Sequence, residues 1–346
     1  MLDQTLYINL FEVVWKMFFN KTLFLSVLSW YDVCMQSDTV YDGMYGLAIG
    51  DAIGVPAEFK TREELSKNPV TDMTGYGTHY QKPGTWSDDT SLSLCLLDSL
   101  ASGLNYLDIM DKFRSWEELG MYTPYGKLFD IGMTTDEAID RYIRDIPVLQ
   151  CGGTDEYNNG NGSLMRILPI AFFIQTKHIT YGQAMEITGD ISSLTHAHPR
   201  SKLACCIYIT IALQLLDGKD LNTALDSGLE KARTLVEGKP EFPHFQRLFS
   251  PSFPTTLVKE IHSSGYVIDT LEASLWCLYN TRSYQECILT AVNLGDDTDT
   301  TASVAGGLAG IAYHRSGMPK SWIERLASRP LIDGICAKFT AAHCPS

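Results

Sequence analysis

From Tyr41 onward the apolar positions fall into helical spacings or wholly apolar runs, separated by loops rich in Gly, Asn, Pro and Asp at 74–87, 120–126, 151–163, 238–254 and 293–299. Alternating strand-like runs are scarce, so the pattern predicts a mainly helical body. Residues 201–216 (SKLACCIYITIALQLL) are apolar on nearly every face, which predicts a helix enclosed by others. Residues 269–278 and 300–313 have a similar character. In the second, Ala302, Ala305, Gly306, Gly307, Ala309 and Gly310 are small enough for close helix approach. No stretch reads as a flexible linker, so one domain is expected over 41–340. Ahead of it, Leu6, Leu10, Val13, Val14, Met17 and Phe18 are helically spaced, and an apolar run follows from Leu23 to Trp30. Glu12, Lys16, Asn20 and Lys21 interrupt this stretch well short of the roughly 20 apolar residues of a membrane span. Residues 1–40 are therefore expected to be an N-terminal extension, an amphipathic helix on the body or on a partner, with no stable membrane insertion.

The 346 residues are 45% hydrophobic and 20% charged, enough apolar material for a large core. A net charge of −14 argues against binding a nucleic-acid duplex through its phosphates. The nine cysteines are odd in number, form no C-x-x-C pair and mostly lie in apolar runs. That suits reduced, buried thiols in a cytoplasmic protein and indicates neither a disulfide framework nor a zinc site.

One short motif recurs. Asp-Asp-Thr appears in 84–91 (GTWSDDTS) and again in 295–301 (GDDTDTT), and each copy leads into a helical pattern, Leu92, Leu96 and Leu100 or Ala302, Val304, Ala305 and Leu308. Either copy alone reads as a helix cap, because Ser, Thr and Asp are favoured there and acidic side chains complement the helix dipole. Together, Asp88, Asp89, Asp297 and Asp299 with the hydroxyls of Ser87 and Thr300 form a set of hard oxygen donors suited to Mg²⁺ or Mn²⁺ and not to zinc. If the two helix starts meet, four carboxylates share one site and call for divalent cations to neutralise them. Paired metals that orient hydroxyls and lower the pKa of a water are the equipment of a hydrolase. The sequence leaves open whether the starts meet.

The chain resembles the ADP-ribosylglycohydrolase family, the group of the dinitrogenase reductase-activating glycohydrolase and the ADP-ribosyl-acceptor hydrolases. Six pieces carry the likeness, in family order, across about 43–316: 46–58 (GLAIGDAIGVPAE), 85–90 (TWSDDT), 130–134 (DIGMT), 160–166 (GNGSLMR), 195–196 (TH) and 291–300 (AVNLGDDTDT). The resemblance implies an all-α fold, a compact single-domain orthogonal helical bundle, with a centre of two Mg²⁺ ions, or Mn²⁺ in their place. It puts one metal cluster on Ser87, Asp88 and Asp89 and the other on Asp297, Asp299 and Thr300. Asp296, where the family often has Gly, reads as a solvent-facing addition.

The same resemblance implies catalytic roles for Glu58 and Asp297, with Glu58 at the substrate ribose and the gating of the site. It implies substrate contacts from Tyr125, Gly126, Asn161, Gly162, Ser163, Met165, Arg166 and His196. On physical grounds the 160–163 loop reads as a Gly-rich turn that opens a helix and cradles a diphosphate with free N–H groups, or as an ordinary turn. Arg166 reads as a phosphate partner or as a structural cation. The implied activity is metal-dependent hydrolysis of the bond at C1 of the distal ribose, freeing ADP-ribose from an ADP-ribosylated protein or a small-molecule ADP-ribose conjugate. A non-catalytic ADP-ribose-binding or crystallin-like member and a two-metal nucleotide phosphohydrolase are the other readings.

Overall fold

The computed structural model describes residues 21–343, with side chains from Asp38 onward; residues 1–20 of the expected extension lie outside the described residues. The helices of eight residues or more are α1 (Lys21–Gly54), α2 (Asp88–Leu100), α3 (Tyr106–Leu119), α4 (Met133–Ile143), α5 (Pro169–Thr176), α6 (Tyr181–Ser193), α7 (Pro199–Leu216), α8 (Leu221–Val236), α9 (Val267–Asn280), α10 (Tyr284–Val292), α11 (Thr298–Tyr313) and α12 (Arg329–His343). Helix α1 runs unbroken through position 40. Among the described residues β pairing is confined to two isolated bridges, Gly153 with His196 and Gly160 with Tyr266. The fold is all-α, as expected. No described helix is long and apolar enough to cross a membrane.

Helix α7 is the enclosed helix predicted from its composition: fifteen of its residues are buried, and it packs against α6, α8 and α5. Helix α2 is buried along almost its whole length, packed against α3, α5 and α12. The tightest pairing sets α1 antiparallel to α11. Gly46, Gly50 and Gly54 are four residues apart and so share one face of α1. A Cβ there would lie 2.3 Å from the Gly306 carbonyl, 2.1 Å from the Ala302 carbonyl and 2.2 Å from Asp299 Cα, respectively. On the opposite helix, a Cβ at Gly310 would lie 2.3 Å from the Asp42 carbonyl oxygen. The absent side chains let the two backbones touch. Close approach then delivers the C-terminal turns of α1, with Asp51, and the segment after it, with Glu58, to the N-terminus of α11.

The sequence pattern places the Gly-rich loop directly before a helix. The structure differs: residues 162–166 form successive turns, and the helix begins at Pro169. Proline has no N–H and prefers the first helical position, so α5 starts there.

Candidate active site

Two helix N-termini and one buried carboxylate build the site. Ser87 caps α2, its Oγ accepting from the Asp89 N–H. Asp51, fully buried on α1, completes that cap from another helix: its carboxylate accepts from Ser87 N at 2.9 Å, Thr90 N at 3.0 Å and Thr90 Oγ1 at 2.6 Å. Burial pushes the Asp51 carboxyl up to about 6, against the opposing effect of these hydrogen bonds.

The two Asp-Asp-Thr starts do meet. Thr300 Oγ1 donates to Asp89 Oδ2 at 3.2 Å, and Ser87 Oγ donates to the same oxygen at 3.2 Å. Asp297 Oδ2 accepts from Asn161 Nδ2 at 2.8 Å, which ties the Gly-rich loop to the cluster. Glu58, Asp297 and Asp299 bring one carboxylate oxygen each within 4.8 Å of one another. Burial, reinforced by neighbouring carboxylates, pushes Asp88, Asp89 and Asp299 well above the usual carboxylate range; burial also raises Asp297, against hydrogen bonds from Asn161 and Thr300. Asp89 Oδ1 and Asp297 Oδ1 are buried with no hydrogen-bond partner among the described residues. Orphaned carboxylate oxygens among like charges fit a hard cation, whose charge would satisfy both. The acidic groups can therefore hold a metal.

Two left-handed residues clamp the Glu58 segment to the Asp297 segment. Phe59 (φ 65°) donates its N–H to the Asp296 carbonyl at 2.7 Å, and Asp296 (φ 58°) donates to the Lys60 carbonyl at 2.8 Å. Aspartate tolerates this conformation better than most residues, and the exposed Asp296 side chain faces solvent as expected. Glu58 itself is buried, its carboxyl raised to about 7 by burial against a hydrogen bond with His79. His79 and Asp130 share a second group with Glu58, their ligating atoms within 4.8 Å.

Behind the Gly-rich loop lies a hydrogen-bonded relay. Arg166 is fully buried, donates to the Gly162 carbonyl and to Thr195 Oγ1 (2.7 Å), and lies 4.9 Å from the centroid of the Phe113 ring. Among the described residues no carboxylate pairs with it, and burial lowers its guanidinium to about 10. Arginine only donates, so Thr195 Oγ1 accepts from it, and the same hydroxyl is hydrogen-bonded to His196 Nδ1, 2.7 Å away. Burial lowers His196 to about 3, aided by the Arg166 charge, so the ring is neutral, with Nε2 as the nitrogen away from Thr195. That nitrogen flanks the glycines: a Cβ on Gly162 would lie 2.8 Å from His196 Cε1, and one on Gly160 3.5 Å from Nε2.

The remaining expected residues divide between interior and surface. Ser163 turns its hydroxyl inward to Ser192 Oγ (2.9 Å) and Cys205 Sγ (3.4 Å), and Met165 is buried. Tyr125 and Gly126 are exposed; the Tyr125 ring lies 5.3 Å from Lys82 Nζ, and the same loop accepts a hydrogen bond from Trp86 Nε1 at Tyr122 O. Sequence reasoning missed Asp51 and His79. Asp51 stands in the 46–58 piece that carried the resemblance, which was its available signal; His79 gave none. A larger cleft of about 600 Å³, lined by Val40, Phe172, Leu216 and Ile311 among others, contains none of these residues. Chemistry, not volume, marks the site.

Residues 35–345 match the family model described as ADP-ribosylglycohydrolase. The ADP-ribosylarginine hydrolase of Serratia proteamaculans is 34% identical over 87% of this chain and 79% of its own; that of Pseudomonas putida is 35% identical over 84% and 74%. The ADP-ribosyl-(dinitrogen reductase) glycohydrolase of Rhodospirillum rubrum is 31% identical over 84% of this chain and 90% of its own. A solved structure titled ADP-ribosylglycohydrolase-related protein complex superposes with a TM-score of 0.74 at 27% identity, over 89% of this chain and 99% of that one.

Proposed function

The chain belongs to the ADP-ribosylglycohydrolase family and is an ADP-ribosyl hydrolase, and from that premise we propose that it frees ADP-ribose from ADP-ribosylated arginine by cleaving the bond at C1 of the distal ribose. The observation that carries this reading is the junction of the two Asp-Asp-Thr helix starts, with two buried carboxylate oxygens left unpartnered. Arginine is chosen as acceptor because the relatives at 34% and 35% identity are ADP-ribosylarginine hydrolases.

Ser87, Asp88, Asp89, Asp297, Asp299 and Thr300 would hold two Mg²⁺ ions, which supply Lewis-acid anchoring of vicinal ribose hydroxyls and a more acidic water when bound. Glu58, whose carboxyl burial pushes upward, is suited to the role of proton donor. As the C1–N bond breaks, its electron pair stays on the acceptor nitrogen, which takes the Glu58 proton. Water bonds to C1 and gives its proton to Asp297. The N–H groups of Gly160 and Gly162 and the Nε2 edge of His196 would face the diphosphate, while the Asn161 N–H is held by the Gly265 carbonyl and the Asn161 side chain keeps Asp297 oriented. Arg166 and Ser163 act from behind the loop, supporting its shape. Tyr125 and Gly126 form the outer wall for the adenosine. The buried, free cysteines suit a cytoplasmic location.

The test incubates an ADP-ribosylated arginine peptide with the protein, with and without Mg²⁺, and separates the products by chromatography. Free ADP-ribose, formed by the wild type with Mg²⁺ and lost in Asp297→Asn, supports the reading. AMP and ribose phosphate as products, or no release, contradict it.

A further inference from the structure

We infer that His79 is a positioning residue for hydrolysis, holding the Glu58 carboxyl against the Asp297–Asp299 cluster; this rests on the function proposed above. Glu58 needs holding. Asp297 and Asp299 lie on one side of it and Asp130 stands close by, each within 4.8 Å between ligating atoms in its group. Three other carboxyls crowd the Glu58 side chain, so a fixed hydrogen-bond partner is what selects one orientation for it. Among the described residues, His79 Nε2 is the one side-chain hydrogen-bond partner of the Glu58 carboxyl.

The imidazole is itself fixed on several sides. Its ring sits 5.9 Å from the Phe59 ring and 5.4 Å from the Phe129 ring, centroid to centroid. Gln81 Nε2 donates to the His79 carbonyl at 3.0 Å. The loop carrying it is tied to the Glu58 segment through the backbone: Thr78 Oγ1 donates to the Glu58 carbonyl at 2.6 Å and Thr78 N to the Pro56 carbonyl at 3.2 Å. Gly77 lies so close that a Cβ would meet the Pro56 oxygen at 1.8 Å. The loop is therefore joined to the Glu58 backbone, and His79, carried on that loop, holds the Glu58 side chain.

Two substitutions separate grip from packing. His79→Phe keeps a ring between Phe59 and Phe129 but has no donor; His79→Gln keeps a donor. With ADP-ribosylated arginine peptide, His79→Phe is expected to lower kcat at least about ten-fold, with KM and ADP-ribose affinity within about two-fold of wild type, and His79→Gln to recover most of the loss. Equal losses in both variants, or a rise in KM with kcat unchanged, would overturn the inference. An arm independent of turnover reads the contact directly. In ¹⁵N-histidine spectra, the ring signals that vanish in His79→Phe should shift in Glu58→Gln. If they do not shift, the contact is absent and the inference fails, whatever the wild-type activity; if the wild type releases no ADP-ribose while the signals do shift, the function reading fails and the contact stands.

Discussion

Substituting Gly50 by alanine probes how the fold sets the site. Helix propensity alone favours the change by about 1 kcal/mol. The added Cβ, however, would lie 2.1 Å from the Ala302 carbonyl oxygen and 2.6 Å from its carbon, and both neighbours are helix backbone that cannot rotate away. Restoring van der Waals contact requires α1 and α11 to part by about 1 Å. Overpacking of this kind costs about 1–3 kcal/mol, enough to cancel the propensity gain and lower stability. The larger effect falls on activity. Asp51 and Glu58 travel with α1, whereas Asp297, Asp299 and Thr300 begin α11, so the separation opens the acidic cluster itself. A displacement of about 1 Å at a reacting centre can cost about a hundred-fold in rate. Thermal melting and kcat/KM for ADP-ribose release, measured side by side, read both terms. Gly334→Ala in α12 is the control: nothing lies within 4 Å of its Cβ, the position is exposed, and a gain of about 0.5–1 kcal/mol is expected with unchanged activity. If Gly50→Ala matches the wild type in both stability and rate, the close approach of α1 and α11 does not set the site.

Other consequences follow from buried charge. Asp51 and Glu58 have carboxyls raised to about 6 and about 7 from ordinary values of 3.8 and 4.5, so the native state resists their ionisation. Without metal, the stability these two carboxyls contribute is full below about pH 4 and is lost as pH rises through 6 and 7; melting curves between pH 5 and about 8 should show this decline, and Mg²⁺ should flatten it. Asp89→Asn removes one ionisable group from the buried cluster, so the metal-free protein should melt at a higher temperature while Mg²⁺-induced stabilisation disappears. Arg166→Lys cannot span both the Gly162 carbonyl and Thr195 Oγ1; it should cost about 2–3 kcal/mol by denaturant unfolding and weaken ADP-ribose binding measured by calorimetry, because Thr195, which holds His196 at Nδ1, loses its Arg166 partner.

Much of this was legible in the chain, for a physical reason. Enclosed helices such as α7 and α11 announce themselves by apolar residues on every face, and the oxygen donors of the cluster lie within two short segments whose helix starts are encoded locally. Asp51 was harder. A carboxylate within a helix looks solvated, and only the packing of α1 on α2 shows that it caps a foreign N-terminus. His79 sits in an irregular loop, where no periodicity reports a side chain's direction. Ser163 misled in the other way: its place in a Gly-rich turn suggested a ligand contact, but the turns through 162–166 roll its hydroxyl toward Ser192 and Cys205. The small residues of α11 were visible as a packing surface, yet the seating of Gly46 on Gly306 and Gly310, and of Gly50 on Ala302, is a tertiary fact.

The central claim is that the two Asp-Asp-Thr starts form one metal-dependent hydrolytic centre. Titrating metal-free protein with Mn²⁺, while recording bound ions per chain and ADP-ribose release on the same samples, tests it most directly. Two ions per chain are expected, with release rising as the pair fills and both lost in Asp89→Asn. Release that persists in excess chelator, or ion binding that survives the substitution unchanged, would contradict the account.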